Sequence, residues 1–170
     1  MRLLRLIPAG ALAALALAAP AVAETRTSNR VAAFEDWSVF VETEPRECFA
    51  TTLSAEDPER QVLVTFWLDR EVSGEVSFYA GPSVPFGNAT LMARAGDHVA
   101  EIFPRGHWAW SPSAEADRNL LLAMATAMRV QLTGETARGA ALIATFSTDG
   151  MVEALGKAAR LCGRTAPTLS

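Results

Sequence analysis

The feature that most constrains the fold is a succession of short alternating segments through the middle of the sequence. Trp37, Val39 and Val41 alternate with Ser38, Phe40 and Glu42, the period-two signature of a half-buried strand. The turn Glu44-Pro45-Arg46 leads to a second segment, Cys48 to Leu53, and Ala55-Glu56-Asp57-Pro58 forms the next turn. Val62 to Leu68 is a denser run of β-branched and aromatic residues, suited to a central strand. Glu75 to Ala80 follows. Ala89 to Arg94 and His98 to Phe103 form a hairpin around Ala95-Gly96-Asp97, and Gly106 to Trp110 is a short aromatic strand. Such segments leave their backbone polar groups unpaired unless neighbours supply partners, so a row of them requires a sheet.

Beyond Trp110 the period changes. Ser113 is placed to cap a helix starting at Ala114, with Glu115 and Asp117 in its first turn. Leu120, Leu121, Met124 and Met128 fall on one helical stripe. Val130 to Thr133 and Ala140 to Phe146 return to strand. Ser147 is then read as the cap of a second helix, Thr148 to about Arg160. Its apolar face is Met151, Leu155, Ala158 and Ala159, with Gly150 and Gly156 allowing close approach to the sheet. Gly163 to Ser170 reads as a loose tail. The total is eight or nine strands and two helices. The expected fold is mainly β: an antiparallel β-sandwich or barrel-like domain with two helices in the C-terminal third. The strand–helix alternation of a parallel sheet is missing.

The beginning of the sequence is of another kind. Arg2 and Arg5 precede an apolar run, Leu6 to Ala19. Pro20 ends it, and Ala21-Val22-Ala23 offers the small-x-small cleavage site of a secretory signal peptide. The run falls short of the roughly 20 residues a spanning helix needs. We therefore expect residues 1–23 to be removed. A flexible segment (24–35), one domain (36–162) and the tail (163–170) would remain, with no membrane span in the mature chain. The setting is periplasmic or extracellular. Loss of the two arginines leaves 13 basic against 19 acidic residues, a formal charge near −6. That disfavours nucleic acid as a partner. Cys48 and Cys162 are the only cysteines, and in an oxidising compartment an even count is most simply a disulfide. A zinc site fails on ligand number, and no metal or cofactor is expected.

The mature sequence resembles the invasion-associated locus B family of exported bacterial proteins. The resemblance rests on Asp36-Trp37-Ser38-Val39 and the Cys48 strand, Glu75-Val76-Ser77-Phe78, and Trp108-Ala109-Trp110 before an Ala- and Met-rich helix. It closes with Thr145-Phe146-Ser147-Thr148-Asp149-Gly150-Met151, Ala154-Leu155 and the terminal Cys162. It spans about Asp36 to Cys162. Phe40 stands where relatives often carry an additional cysteine. Thr148 and Met151 stand where a leucine and an aromatic residue are common. The resemblance implies an envelope or secreted location, and an accessory or invasion-associated role; it implies no reaction.

Chemistry-bearing residues are few. His98 and His107 are the only histidines. No GxSxG elbow, HExxH, Walker loop or GxGxxG accompanies them, so a catalytic centre is not expected. Aromatic residues are the better clue. If Gly106 to Trp110 is extended, Trp108 and Trp110 share one face while Ala109 points away. Either the two indoles fill the core, or they stack on a sugar or anchor a partner. Tyr79 and Phe86 flank the Pro- and Gly-rich loop Gly81 to Gly87 and would extend the patch, as would His107. The expectation is a non-enzymatic envelope protein that binds an envelope protein or glycan. The alternatives are a hydrolase on envelope material centred on His107, or an inhibitor or recognition module using the Gly81–Gly87 loop.

Overall fold

The computed structural model describes residues 29–44, 46–69 and 73–169. The expected signal peptide and the first residues after it lie outside this range. Ten strands and two helices follow in order: β1 (Arg30–Phe34), β2 (Trp37–Thr43), β3 (Arg46–Leu53), β4 (Gln61–Trp67), β5 (Ser73–Tyr79), β6 (Leu91–Ala95), β7 (His98–Arg105), β8 (Trp108–Trp110), α1 (Ala114–Thr126), β9 (Arg129–Glu135), β10 (Ala141–Ser147) and α2 (Met151–Leu161). One antiparallel sheet runs β1-β2-β3-β4-β5-β8-β7-β6-β9-β10.

The alternation seen in the sequence assigns each strand an inner and an outer face. Val41, Cys48 and Phe66 are cross-strand neighbours, as are Val39, Ala50, Val64 and Val76. The next row joins Val62, Phe78 and Ala109. All of these except the half-buried Val41 are fully buried. One inner face thus continues from strand to strand, as period-two register requires. The sheet curls about it: Phe78 of β5 and Phe146 of β10 meet with ring centroids 5.8 Å apart, although three strands of the other hairpins and β9 separate them in the order. Trp37 Nε1 donates to the Ser147 carbonyl at 2.9 Å, tying β2 to the end of β10. The free edge of β10 is covered by the loop after β3. Ala55 N–H donates to the Thr145 carbonyl and Glu56 accepts from Thr145 N–H. An edge satisfied in this way offers less template for further pairing.

Both helices pack on the inner side. α1 lies against β5, β6 and β7, and α2 against β1 to β5. Ser113 caps α1, its hydroxyl accepting from Ala116 N–H at 3.2 Å. Leu120, Leu121 and Met124 are buried. Met128 is not: α1 ends at Thr126 and Met128 is 84% exposed. α2 begins at Met151 rather than Thr148, and Gly150 in left-handed conformation precedes it. Ser147 Oγ instead accepts from Asp149 N–H within the connection. Gly156 does not approach the sheet; Arg160 of its own helix is the only neighbour a Cβ would meet. Two segments read as loose are ordered. Residues 30–34 of the expected flexible segment form edge strand β1. In the tail, Ala166 and Leu169 pack on the core, and the Arg164 guanidinium donates to the Trp67 and Leu68 carbonyls. Phe40, on the outer face, stacks on Phe49 with centroids 5.2 Å apart.

Asp117 stands in the first turn of α1, as expected, and also serves a neighbouring strand. It is 8% exposed, and its Oδ1 accepts the Val76 backbone N–H at 3.0 Å, where β8 is too short to pair. Burial raises its carboxyl from 3.8 to about 6, against the pull of the Val76 hydrogen bond. The unfolded chain releases this proton near 3.8. Stability from this site is therefore complete below that pH and declines as pH rises through about 6. Asp117→Asn keeps an acceptor and removes the charge. It should be about 2 kcal/mol more stable than the parent at pH 8, with the difference closing toward pH 4. Urea unfolding at both pH values measures this, and a pH-independent difference would contradict it.

Candidate functional site

The short strand β8 owes its position to a two-residue turn. Arg105 and Trp108 pair across Gly106-His107, and Gly106 adopts φ +65, a conformation glycine enters without a Cβ penalty. The following residues alternate. Ala109 points inward with no exposed surface, while Trp108 is 36% exposed on the outer face and Trp110 is half-buried there. The indoles therefore do not fill the core.

Cross-strand register sets their neighbours. Trp108 stands between Tyr79 of β5 and Arg105 of β7; Trp110 stands between Ser77 and Phe103. The Tyr79 and Trp108 rings lie 4.8 Å apart at 38°, and Trp108 and Trp110 lie 6.4 Å apart at 23°. One contact runs across the strand pair and the other along β8, a three-ring ladder with its corner at Trp108 on the outer face. Phe103, 45% exposed, extends it, and with Pro104, Arg105, Trp110, Ser111 and Pro112 it lines an open hollow of about 490 Å³. No ion pair holds Arg105 among the described residues.

His107 belongs to the ladder's edge. Its ring is 6.4 Å from that of Tyr79, and its Nδ1 lies 2.7 Å from the Gly81 carbonyl. A carbonyl only accepts, so Nδ1 carries the proton in this contact and Nε2 is the nitrogen left for another partner. The contact places a backbone oxygen, not a carboxylate, behind the imidazole.

Phe86 is not part of this surface. It is 3% exposed, its N–H donates to the Gly106 carbonyl, and it bridges to Thr136. The rest of the Gly81–Gly87 loop is also pinned, with Gly87 N–H donating to the Glu135 carbonyl and the Pro85 carbonyl accepting from Ala137 N–H. Cys48 and Cys162 form a disulfide, with Cys48 in β3, two strands from β5 in the sheet order. Of the residues singled out from sequence, Tyr79, His107, Trp108 and Trp110 come together. Phe103 and Arg105 were missed. Their signal was the strand phase: with Ala100 and Ile102 inward, the odd positions of β7 face out.

No family model matches this sequence, and no curated protein matches it. The comparison of structures does find a similar fold. The crystal structure of invasion associated protein B from Bartonella henselae superposes with a TM-score of 0.58 at 15% identity, covering 78% of this chain and 98% of that one. The chain has the fold of invasion associated protein B. At that identity the likeness speaks for architecture. It agrees with the fold implied by the family resemblance that the Trp37, Cys48 and Cys162 segments carry.

Proposed function

We propose that this chain is an exported, non-enzymatic binding protein of the bacterial envelope, similar to invasion associated protein B, whose contact surface is the outer aromatic ladder. The observation carrying this reading is the orientation of β8. Ala109 is turned into the core, while Trp108 and Trp110 are turned out beside Tyr79 and Phe103. Large aromatic residues grouped on an open surface mark interaction sites. Export is supported by the leader-like residues 1–23, the disulfide and the likeness to the fold of invasion associated protein B. The binding reading over the hydrolytic one is supported by His107, whose engaged nitrogen faces a carbonyl rather than an orienting carboxylate.

Crosslinked pull-down from an envelope fraction tests the proposal, with the mature chain and its Trp108→Ala/Trp110→Ala variant as paired baits. The expected result is an envelope component recovered by the parent and reduced at least about tenfold with the variant. Equal recovery by both would reject the ladder as the contact surface.

A further inference from the structure

We propose that the ladder's ligand is an envelope polysaccharide whose sugar rings lie along Tyr79, Trp108 and Trp110, with Arg105 and His107 taking its hydroxyl or carboxylate groups. This rests on the ladder being the contact surface, and it names the chemistry of what is bound there.

Three observations favour a glycan. The first is the spacing of the rings. The Trp108 and Trp110 planes are nearly parallel at 23°, but their centroids are 6.4 Å apart, too far for a closed face-to-face stack. Ring surface stays open between them, as the exposure of Trp108 shows. Tyr79 lies 4.8 Å from Trp108 across the strand pair, and Trp110 lies along β8, so the three rings form a patch with Trp108 at its corner rather than a single anchor. A pyranose presents C–H groups over one face, and these are drawn to the negative face of an indole or phenol. Adjacent rings on one face repeat that contact for neighbouring sugars.

The second observation is the polar margin. Arg105 is exposed beside Trp108 and holds no ion pair among the described residues. His107 has one nitrogen committed to Gly81 and the other left for a ligand. Hydrogen-bonding groups flanking an apolar patch suit a ligand that is apolar on one face and hydroxylated at its edges. The guanidinium adds a complementary charge for an acidic sugar.

The third is shape and charge. The hollow beside Trp110 is open, with no deep socket to seat the buried anchor of a protein hot spot. Single-stranded nucleic acid also stacks on aromatic rows, but it needs a basic track along its backbone. Here one arginine faces the ladder, in a chain with 15 basic and 19 acidic residues.

The test uses the disulfide-bonded mature protein and the protein-free polysaccharide fraction of the producing cell's envelope. Retardation in affinity electrophoresis and the change in tryptophan emission are the readouts. The parent should be retarded, with Trp108→Ala at least about tenfold weaker and Trp108→Phe intermediate. Periodate oxidation of the polysaccharide should abolish the effect. Unchanged thermal unfolding of Trp108→Ala confirms that a folded protein is being compared. No retardation of the parent, or equal retardation of Trp108→Ala, overturns the proposal. If periodate-treated envelope still yields a protein captured through the ladder, the ligand is that protein: the glycan inference fails and the contact surface stands. Capture independent of the ladder removes both.

Discussion

Replacing Cys48 and Cys162 together by alanine should lower the stability of the domain by about 4–5 kcal/mol, the largest effect expected from any pair of substitutions here. The two residues are 114 apart in sequence, with Cα atoms 5.8 Å apart. The bridge therefore closes almost the whole domain into one loop. Without it the unfolded chain regains the freedom of that loop, and a domain of ordinary stability loses a large fraction of its margin. Alanine is preferred to serine because both sites are buried, at 0% and 5% exposure, and a hydroxyl there would add an unpaired polar group. The loss should be greatest locally at the end of α2. Cys162 follows that helix, while Cys48 lies in β3 on the inner face. Urea unfolding of parent and variant gives the global value, and amide exchange in α2 gives the local one. A loss under about 1 kcal/mol would mean that packing of Met151, Ala154, Leu155, Ala158 and Ala159 alone secures the helix.

Much of the sheet was legible because its signal is local. Inner and outer residues alternate from Trp37 to Val41 in β2, whereas β4 is a dense β-branched and aromatic run buried from Val62 to Phe66. Trp37 and Val39 were accordingly recoverable as core from period, and Val62, Val64 and Phe66 from composition. The same is true of α1, where Ser113 and three stripe residues announced the cap and the buried face. What was not legible depends on contacts distant in sequence. β1 carries no alternating apolar pattern of its own; it exists because β2 offers an edge and α2 packs beside it. The tail looked loose because its composition is polar and proline-containing. Its order comes from Arg164 reaching Trp67 and Leu68, nearly a hundred residues earlier.

The candidate site divides in the same way. Period two placed Trp108 and Trp110 on a common face, but it left open whether that face was inside or outside. The answer lies in Ala109, which pairs with Phe78 and Pro104 in the sheet and has no exposed surface, so the tryptophans on either side of it face out. Tyr79 was recognised by proximity in sequence and joined the ladder. Phe86 was recognised by the same argument and failed, because Thr136 and Gly106 draw its backbone inward. Loop residues follow the partners of their backbone, and those partners are invisible without the fold. Phe103 and Arg105 required knowing both the inner phase of β7 and its pairing with β8.

The second large effect is expected at Gly150. Gly150→Ala should cost about 3 kcal/mol or more, through two causes that act together. Its φ of +79 is unfavourable for any residue with a Cβ, and a Cβ built there would lie 2.2 Å from the Phe34 carbonyl oxygen and 3.1 Å from Glu35 Cβ. Relief cannot come from a side-chain rotation, because the obstructing atom is backbone. The connection from β10 to α2 would have to move off the β1–β2 turn. That movement would strain the Asp36 N–H bond to the Asp149 carbonyl and the Trp37 indole bond to Ser147. These bonds hold the first strands of the sheet against its last, so the damage reaches the closure of the curl. Gly106 supplies the control. Its φ is +65, but no atom lies within 4 Å of the position a Cβ would take. Gly106→Ala should therefore cost only the conformational part, about 1 kcal/mol. The difference between the two variants in urea midpoint isolates the steric contact with Phe34. If the two substitutions cost the same, the close approach of α2 to the β1–β2 turn is not a constraint on this fold.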